Sequence, residues 1–136
     1  MATVEYMHIC DYAFVDQGGK PCIIGVYESI GASAFPATHP QLFLAVQFRG
    51  TAHEMIRFTV EIGRPNGDVL WRSPEASPNA SAEGGAFLAM NIVGTQFPEA
   101  GRYVVKVLSA GQTLASQSLR LNLIQQAGSQ PPPRLH

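Results

Sequence analysis

Charge is what this chain has least of. Asp, Glu, Lys and Arg make up only 14% of its 136 residues, against about 25% in an ordinary soluble domain. The nine basic and ten acidic residues are scattered and leave a net charge of −1. Nucleic-acid binding draws its affinity from a concentrated cationic face that neutralises phosphates. No such face is encoded, so a nucleic-acid partner is not expected. Low charge itself has two readings. One is a surface built from Ser, Thr, Gln, Ala and Gly. The other is a surface covered by another subunit, since interface cores are depleted of charge.

Long apolar runs are missing too. Nothing approaches the roughly 20 residues that a helix needs to cross a bilayer, so no membrane span is expected. The opening residues, Met1 to Tyr6, lack a basic segment followed by an apolar one, the pattern of a secretory signal, and the expected location is the cytoplasm. No segment of useful length has helical periodicity, and no internal repeat is present. Only two cysteines occur, Cys10 and Cys22, with no Cys-x-x-Cys or His-x-x-x-His spacing.

What the chain does have is period-two alternation. In Leu42 to Arg49, the side chains of Leu42, Leu44, Val46 and Phe48 point one way and those of Phe43, Ala45, Gln47 and Arg49 the other. Ile56 to Gly63 repeats this, with Ile56, Phe58, Val60 and Ile62 inward. Tyr6 to Val15 reads as a strand apolar on both faces, which suits a central strand covered on both sides. Gly18 and Gly19 take positive φ at little cost, so the chain reverses there and Cys22 to Ser29 returns, interrupted by Gly25. Ile30 to Pro40 reads as a loop, with Phe35 folded back as an apolar plug. Arg64-Pro65-Asn66-Gly67-Asp68 is a turn leading into Val69 to Trp71. Ser73 to Gly85 is either a mobile loop or an edge segment. Phe87 to Val93, Val104 to Leu108 and Thr113 to Leu123 complete the set, with Leu88, Met90 and Ile92 on an inner face and Leu119, Leu121 and Leu123 alternating with Ser118, Arg120 and Asn122.

About eight short strands without helices predict an all-β, two-layer antiparallel β-sandwich, immunoglobulin-like or C2-like. The Pro98-Glu99-Ala100-Gly101-Arg102-Tyr103 corner is similar to those sandwiches, in which a tyrosine near a corner locks a crossing connection. At this length one domain is expected, over residues 1–124, followed by a Pro-rich flexible tail over 125–136. Such a domain needs neither metal nor disulfide to supplement its core. The first hairpin would set Cys10 opposite Tyr27 or Glu28, on the order of 20 Å along the strands from Cys22. Disulfide Cα atoms lie within about 7 Å, so free thiols are expected, in keeping with a reducing compartment.

The run Cys10-Asp11-Tyr12-Ala13, then Gly19-Lys20, Ile23-Ile24-Gly25-Val26, Phe35-Pro36 and His39-Pro40, resembles a family of small prokaryotic proteins of unknown function. The match extends through Arg49-Gly50 and Pro65-Asn66-Gly67 to Gly101-Arg102-Tyr103, about residues 6–123. The resemblance implies a β-sandwich and no assigned activity, so it supplies no catalytic residues.

Candidate chemistry is sparse. His8 and Cys10 share a strand face, but a structural zinc site needs four ligands, and His39 and His53 fall in loops. A packed cysteine beside a partly exposed histidine is the plainer reading. Cys10 as a nucleophile would need access and a depressed pKa. Asp16, Glu28 and Asp68 lack calcium-loop spacing. Gly18-Gly19 precedes a strand rather than the helix that a phosphate cradle requires. No catalytic residue, cofactor or metal is therefore expected, and the chain reads as a non-enzyme. Asp11, a carboxylate in an apolar strand, must reach solvent or be paired. It reads first as a structural polar anchor bonded to backbone amides of a neighbouring loop, and second as a cleft residue. Phe43, Arg49, Trp71 and Phe87 form a candidate interaction surface for a protein or sugar, with core or edge packing the other reading of Trp71. The expected role is a protein-interaction module or homo-oligomer subunit. The alternative is a carbohydrate-type ligand binder using the 30–40 and 73–85 loops.

Overall fold

The computed structural model describes residues 2–124. The expected tail over 125–136 lies outside them. Nine strands are described: β1 (Thr3–Val15), β2 (Pro21–Val26), β3 (Ser29–Ala32), β4 (Ala37–Arg49), β5 (Thr59–Gly63), β6 (Val69–Arg72), β7 (Gly85–Phe97), β8 (Gly101–Ser109) and β9 (Gln112–Leu123). They form a four-stranded sheet in the order β2-β1-β4-β7 and a five-stranded sheet in the order β3-β9-β8-β5-β6. The two layers enclose one main core, so the fold is the all-β sandwich that the alternation predicts.

The alternation does the sorting. Leu42, Leu44, Val46 and Phe48 are all buried against the facing sheet, as are Ile56, Phe58, Val60 and Ile62. Phe48 and Phe58 meet across the layers with ring centroids 4.9 Å apart. Tyr103, Val105 and Val107 of β8 and Leu119 and Leu121 of β9 complete the core from the five-stranded side. Tyr103 forms the expected corner. Its hydroxyl donates to the Glu99 carbonyl at 2.6 Å and accepts from the Glu99 amide at 3.2 Å, so a fully buried phenol is satisfied by the chain that turns beneath it.

Several expectations are corrected. Ile30 to Pro40 is not a continuous loop. Ser29–Ala32 is a short strand and Ala37 already opens β4. The pattern is hard to read there because β3 is only four residues long. It pairs in parallel with β9, Ile30 opposite Leu121, so the sandwich is not wholly antiparallel. Phe35 packs against the main core as a plug. The return strand ends at Val26 rather than Ser29. Cys10 stands opposite Val26, one residue short of the expected range, and Phe14 stands opposite Cys22. Both thiols are free.

Ile56 and Phe58 face inward ahead of β5 itself and pair instead with the following connection, Met55 with Asn79 and Phe58 with Ala76. That settles Ser73 to Gly85 as an edge segment. Its carbonyls at Pro78 and Ala76 accept from the amides of Ile56 and Phe58 at 2.8 and 2.9 Å. Leu123 is 59% exposed, because β9 runs past the end of the core there. Alternation also slips once along β7. Ile92 is buried and Val93 exposed, yet Thr95 and Phe97 are buried beyond them. Gly94 lies between at φ +70°, a conformation open to glycine that lets the strand change faces.

Candidate interaction surface

The four-stranded sheet presents a second apolar layer on the side away from the core. Registers place its members in rows. Val26, Cys10, Phe43 and Asn91 form one, Ala45 lies between His8 and Ala89, and Gln47 lies between Tyr6 and Phe87. Cys10, Ala13, Phe43 and Ala45 make a small cluster of their own, with Ile23 and Phe87 packed on it. The Tyr12 ring meets Phe43 edge-on at 4.9 Å and lies 5.4 Å from Phe14. Around this cluster Tyr12, Ile24, Val26 and Val93 stand 48% exposed or more; these are four of the nine exposed large hydrophobics among the described residues.

The candidate residues divide accordingly. Phe43 and Phe87 lie on this outer face, Phe43 nearly covered by its neighbours and Phe87 half-buried. Arg49 closes one end of the face in an ion pair with Glu5, Nε to Oε1 at 2.7 Å. Trp71 does not join them. It pairs with Ile62 in the other sheet and packs on the main core, so the core reading holds for it. Tyr12, Ile24, Val26 and Val93 are the members that strand-by-strand reading missed. The signal was available: the even positions of β1, carried through the hairpin register, select Tyr12, Ile24 and Val26.

Cys10 has the wrong chemistry for a nucleophile. It is fully buried, its thiol donates to the Phe43 carbonyl at 3.7 Å, and burial pushes its pKa up, so it is protonated near pH 7. Asp11 meets the cost of its charge by reaching solvent. It is exposed, its carboxylate lies over Gly25 where a Cβ would clash, and it accepts no loop amide among the described residues. Gly25, at φ +70°, is thus required twice over, by its backbone and by the carboxylate above it.

The main polar group near this sheet is Tyr27 with His39, hydroxyl to Nε2 at 3.3 Å. His39 lies within β4 rather than in a loop. Burial lowers its pKa, against the opposing pull of Asp11 and of a backbone hydrogen bond at Gln41, so the ring is neutral near pH 7. Burial, then the charges of Asp11 and Cys10, pushes Tyr27 up to about 12. Thr95, opposite His39 in the ladder, buries a hydroxyl with no hydrogen-bond partner among the described residues. This is a half-buried neutral pair. It places no activated nucleophile beside a base. No group of three or more metal-ligating side chains occurs among the described residues.

The 30–40 and 73–85 segments adjoin opposite ends of β4, because Ala37 pairs with Phe97 and Arg49 with Gly85. A strand of that length separates them by about 40 Å, so they cannot line one pocket. Two surface depressions lie on the five-stranded sheet instead. One is an open hollow of about 390 Å³ lined by Glu28, Ser29, Arg102, Ser118 and Arg120. The other is a 10 Å³ niche at Arg64 and Asp68.

Fold and surface together define a two-layer β-sandwich with one polar and one apolar outer face. The chain belongs to DUF6941, a family of unknown function, which matches residues 5–122. Among solved structures it is similar to the alkylpurine DNA glycosylase AlkC of Pseudomonas fluorescens bound to DNA containing an abasic site analog, at 14% identity and a TM-score of 0.58, over 89% of this chain and 30% of that one. It is also similar to a β-glucosidase from Listeria innocua in complex with isofagomine, at 8% identity and a TM-score of 0.52, over 83% of this chain and 19% of that one. An immunoglobulin-like protein from Pseudomonas aeruginosa matches at 12% identity and a TM-score of 0.48, over 90% of this chain and 97% of that one. The chain thus spans less than a third of the length of the glycosylase and the glucosidase, and at these identities the likeness is one of fold. No curated protein matches. No helix among the described residues is long and apolar enough to cross a membrane.

Proposed function

We propose that this protein is a non-enzymatic protein-interaction module of the cytoplasm, and that the outer face of its four-stranded sheet is the contact surface. The observation that carries this reading is the second apolar cluster. A sandwich needs one core, and that core lies between the sheets. A further set of aromatic and aliphatic side chains on an outer face has no folding role of that size, and contiguous exposed apolar surface of this kind marks sites of association. Aromatic residues there supply the anchors that interfaces favour.

Site-specific photo-crosslinking in cells tests it. A photoreactive residue at Tyr12 or Ile24 should yield discrete protein adducts that Val26→Glu abolishes, while the same probe at Lys106 on the five-stranded sheet yields none. Adducts equal in kind and amount from both faces would refute the assignment.

A further inference from the structure

A two-layer sandwich has four edge strands, and an uncovered edge is a template for another chain. Three of the four here are blunted. Strands β3 and β6 are four residues long. Strand β2 has six, begins at Pro21 and is bent at Gly25. The fourth, β7, runs for 13 residues, Gly85–Phe97, without a proline or a charged side chain, and among the described residues pairs only with β4.

The Ile9 carbonyl accepts from the Tyr27 amide at 2.9 Å, so Ile9 turns its polar groups toward the β2 side and away from its β4 partner, Leu44. Leu44 therefore directs its own toward Met90. The other end of the strand agrees: the Gly84 carbonyl accepts from the Gly50 amide, on the β4 side, whereas the Gly85 carbonyl accepts from the Ser81 amide. Residues 86, 88, 90 and 92 thus bond to β4. Phe87, Ala89, Asn91 and Val93 point four amides and four carbonyls at the open edge. Apart from Gly85, no β7 residue takes part in a turn or loop backbone bond among the described residues.

We infer that β7 pairs antiparallel with β7 of a second copy, about a two-fold axis at Met90, to form one continuous eight-stranded sheet. This goes beyond the outer-face reading: it names a second copy as the partner of the sheet's edge, a surface separate from that face. In this register Phe87 meets Val93 of the other copy and Ala89 meets its Asn91. All eight edge groups then find partners. On the outer face, Val93, 68% exposed in the single chain, is covered by an aromatic ring. On the core side, half-buried Leu88 meets Ile92 and Met90 meets itself, extending the core across the axis. With no charge on the strand, two copies approach without repulsion, and an oppositely charged partner has nothing to recognise. Self-complementarity under a two-fold is the defining property of an isologous interface.

The test is sedimentation velocity on the full chain, with disulfide trapping. The wild type should sediment at twice the chain mass. Asn91→Pro removes an outward amide and leaves the β4 ladder intact, so it should fold, with an unchanged circular dichroism spectrum, and weaken the dimer at least about tenfold. In a Cys22→Ser background, Met90→Cys should form an intermolecular disulfide on mild oxidation, because residues facing each other in a non-hydrogen-bonded pair lie about 4.5 Å apart; Ala86→Cys should not. The trapping result decides the question should the proline variant fail to fold. A monomer at about 1 mM with no Met90→Cys disulfide overturns the pairing and leaves the Tyr12 crosslinking result standing. A dimer that survives Asn91→Pro but dissociates with Ile24→Glu also overturns it, and moves self-association to the outer face.

Discussion

The two outer faces of this sandwich are built from the same alternation and have opposite character. On the five-stranded sheet the outward positions include Glu61, Arg72, Arg102, Lys106, Ser118 and Arg120, with Val104 and Leu108 among them. Arg72 bonds Glu61 at 2.6 Å, and Arg102 donates to Ser118 at 3.2 Å. That face is an ordinary solvated surface. On the four-stranded sheet the outward positions of β1 and β4 include Tyr6, His8, Cys10, Tyr12, Phe43, Ala45 and Gln47, and the ion pair of Arg49 with Glu5 is confined to one end. A low charged fraction is therefore not spread thinly over this protein. It is concentrated by sheet, and the choice between a polar uncharged surface and a covered one has a different answer on each side.

The sharpest contrast to this pair of faces is the interior they share. Phe48→Ala empties a fully buried site in contact with Phe58 and should cost about 3–5 kcal/mol, read from urea denaturation. Phe43→Ala removes a ring from the outer cluster and should cost about 2 kcal/mol. Its counterpart on the polar face, Lys106→Ala, should stay within about 0.5 kcal/mol. Equal losses for Phe43 and Lys106 would break the comparison. Tyr103→Phe isolates a buried polar device of the five-stranded layer, the corner at Glu99, and should cost about 1 kcal/mol.

The smallest effects come from titration at the edge of the four-stranded layer. His39 has a folded pKa below its ordinary 6.5, so its contribution is complete above that value and is lost as pH falls toward the lowered one. Tyr27 has the opposite sign: raised from 10.0 to about 12, it contributes fully below 10.0 and loses that contribution as pH rises through the interval. Melting temperature should therefore decline on both sides of a plateau between these limits. His39→Gln should flatten the acid limb, and an unaltered limb would assign it elsewhere.

Much of this architecture is legible from residue order. Leu42 to Phe48 and Ile56 to Ile62 reveal their inner faces by period two alone, and Asn66-Gly67 marks the turn between β5 and β6, where the Gly67 amide donates to the Arg64 carbonyl at 3.0 Å. Tyr103 is legible because a corner fixes its partner within four residues. What escapes is whatever depends on a distant strand. Ser29–Ala32 becomes a strand only because β9 lies beside it, and Trp71 turns inward only because it shares a row with Ile62. The candidate surface is half legible: Phe43 and Phe87 stand out individually, whereas Tyr12, Ile24 and Val26 join them only once the hairpin register is known.

The ladder between β4 and β7 bears on how the chain reaches this state. Ala37 must find Phe97 and Arg49 must find Gly85, whereas β8 and β9 meet through the two-residue turn at Ala110 and Gly111. Loop closure over such spans slows folding to the range of about milliseconds to seconds. The β8–β9 hairpin is the natural place for folding to begin. Until β4 captures it, the uncharged β7 is exposed on both edges, and crowding during synthesis or refolding sets that capture in competition with aggregation.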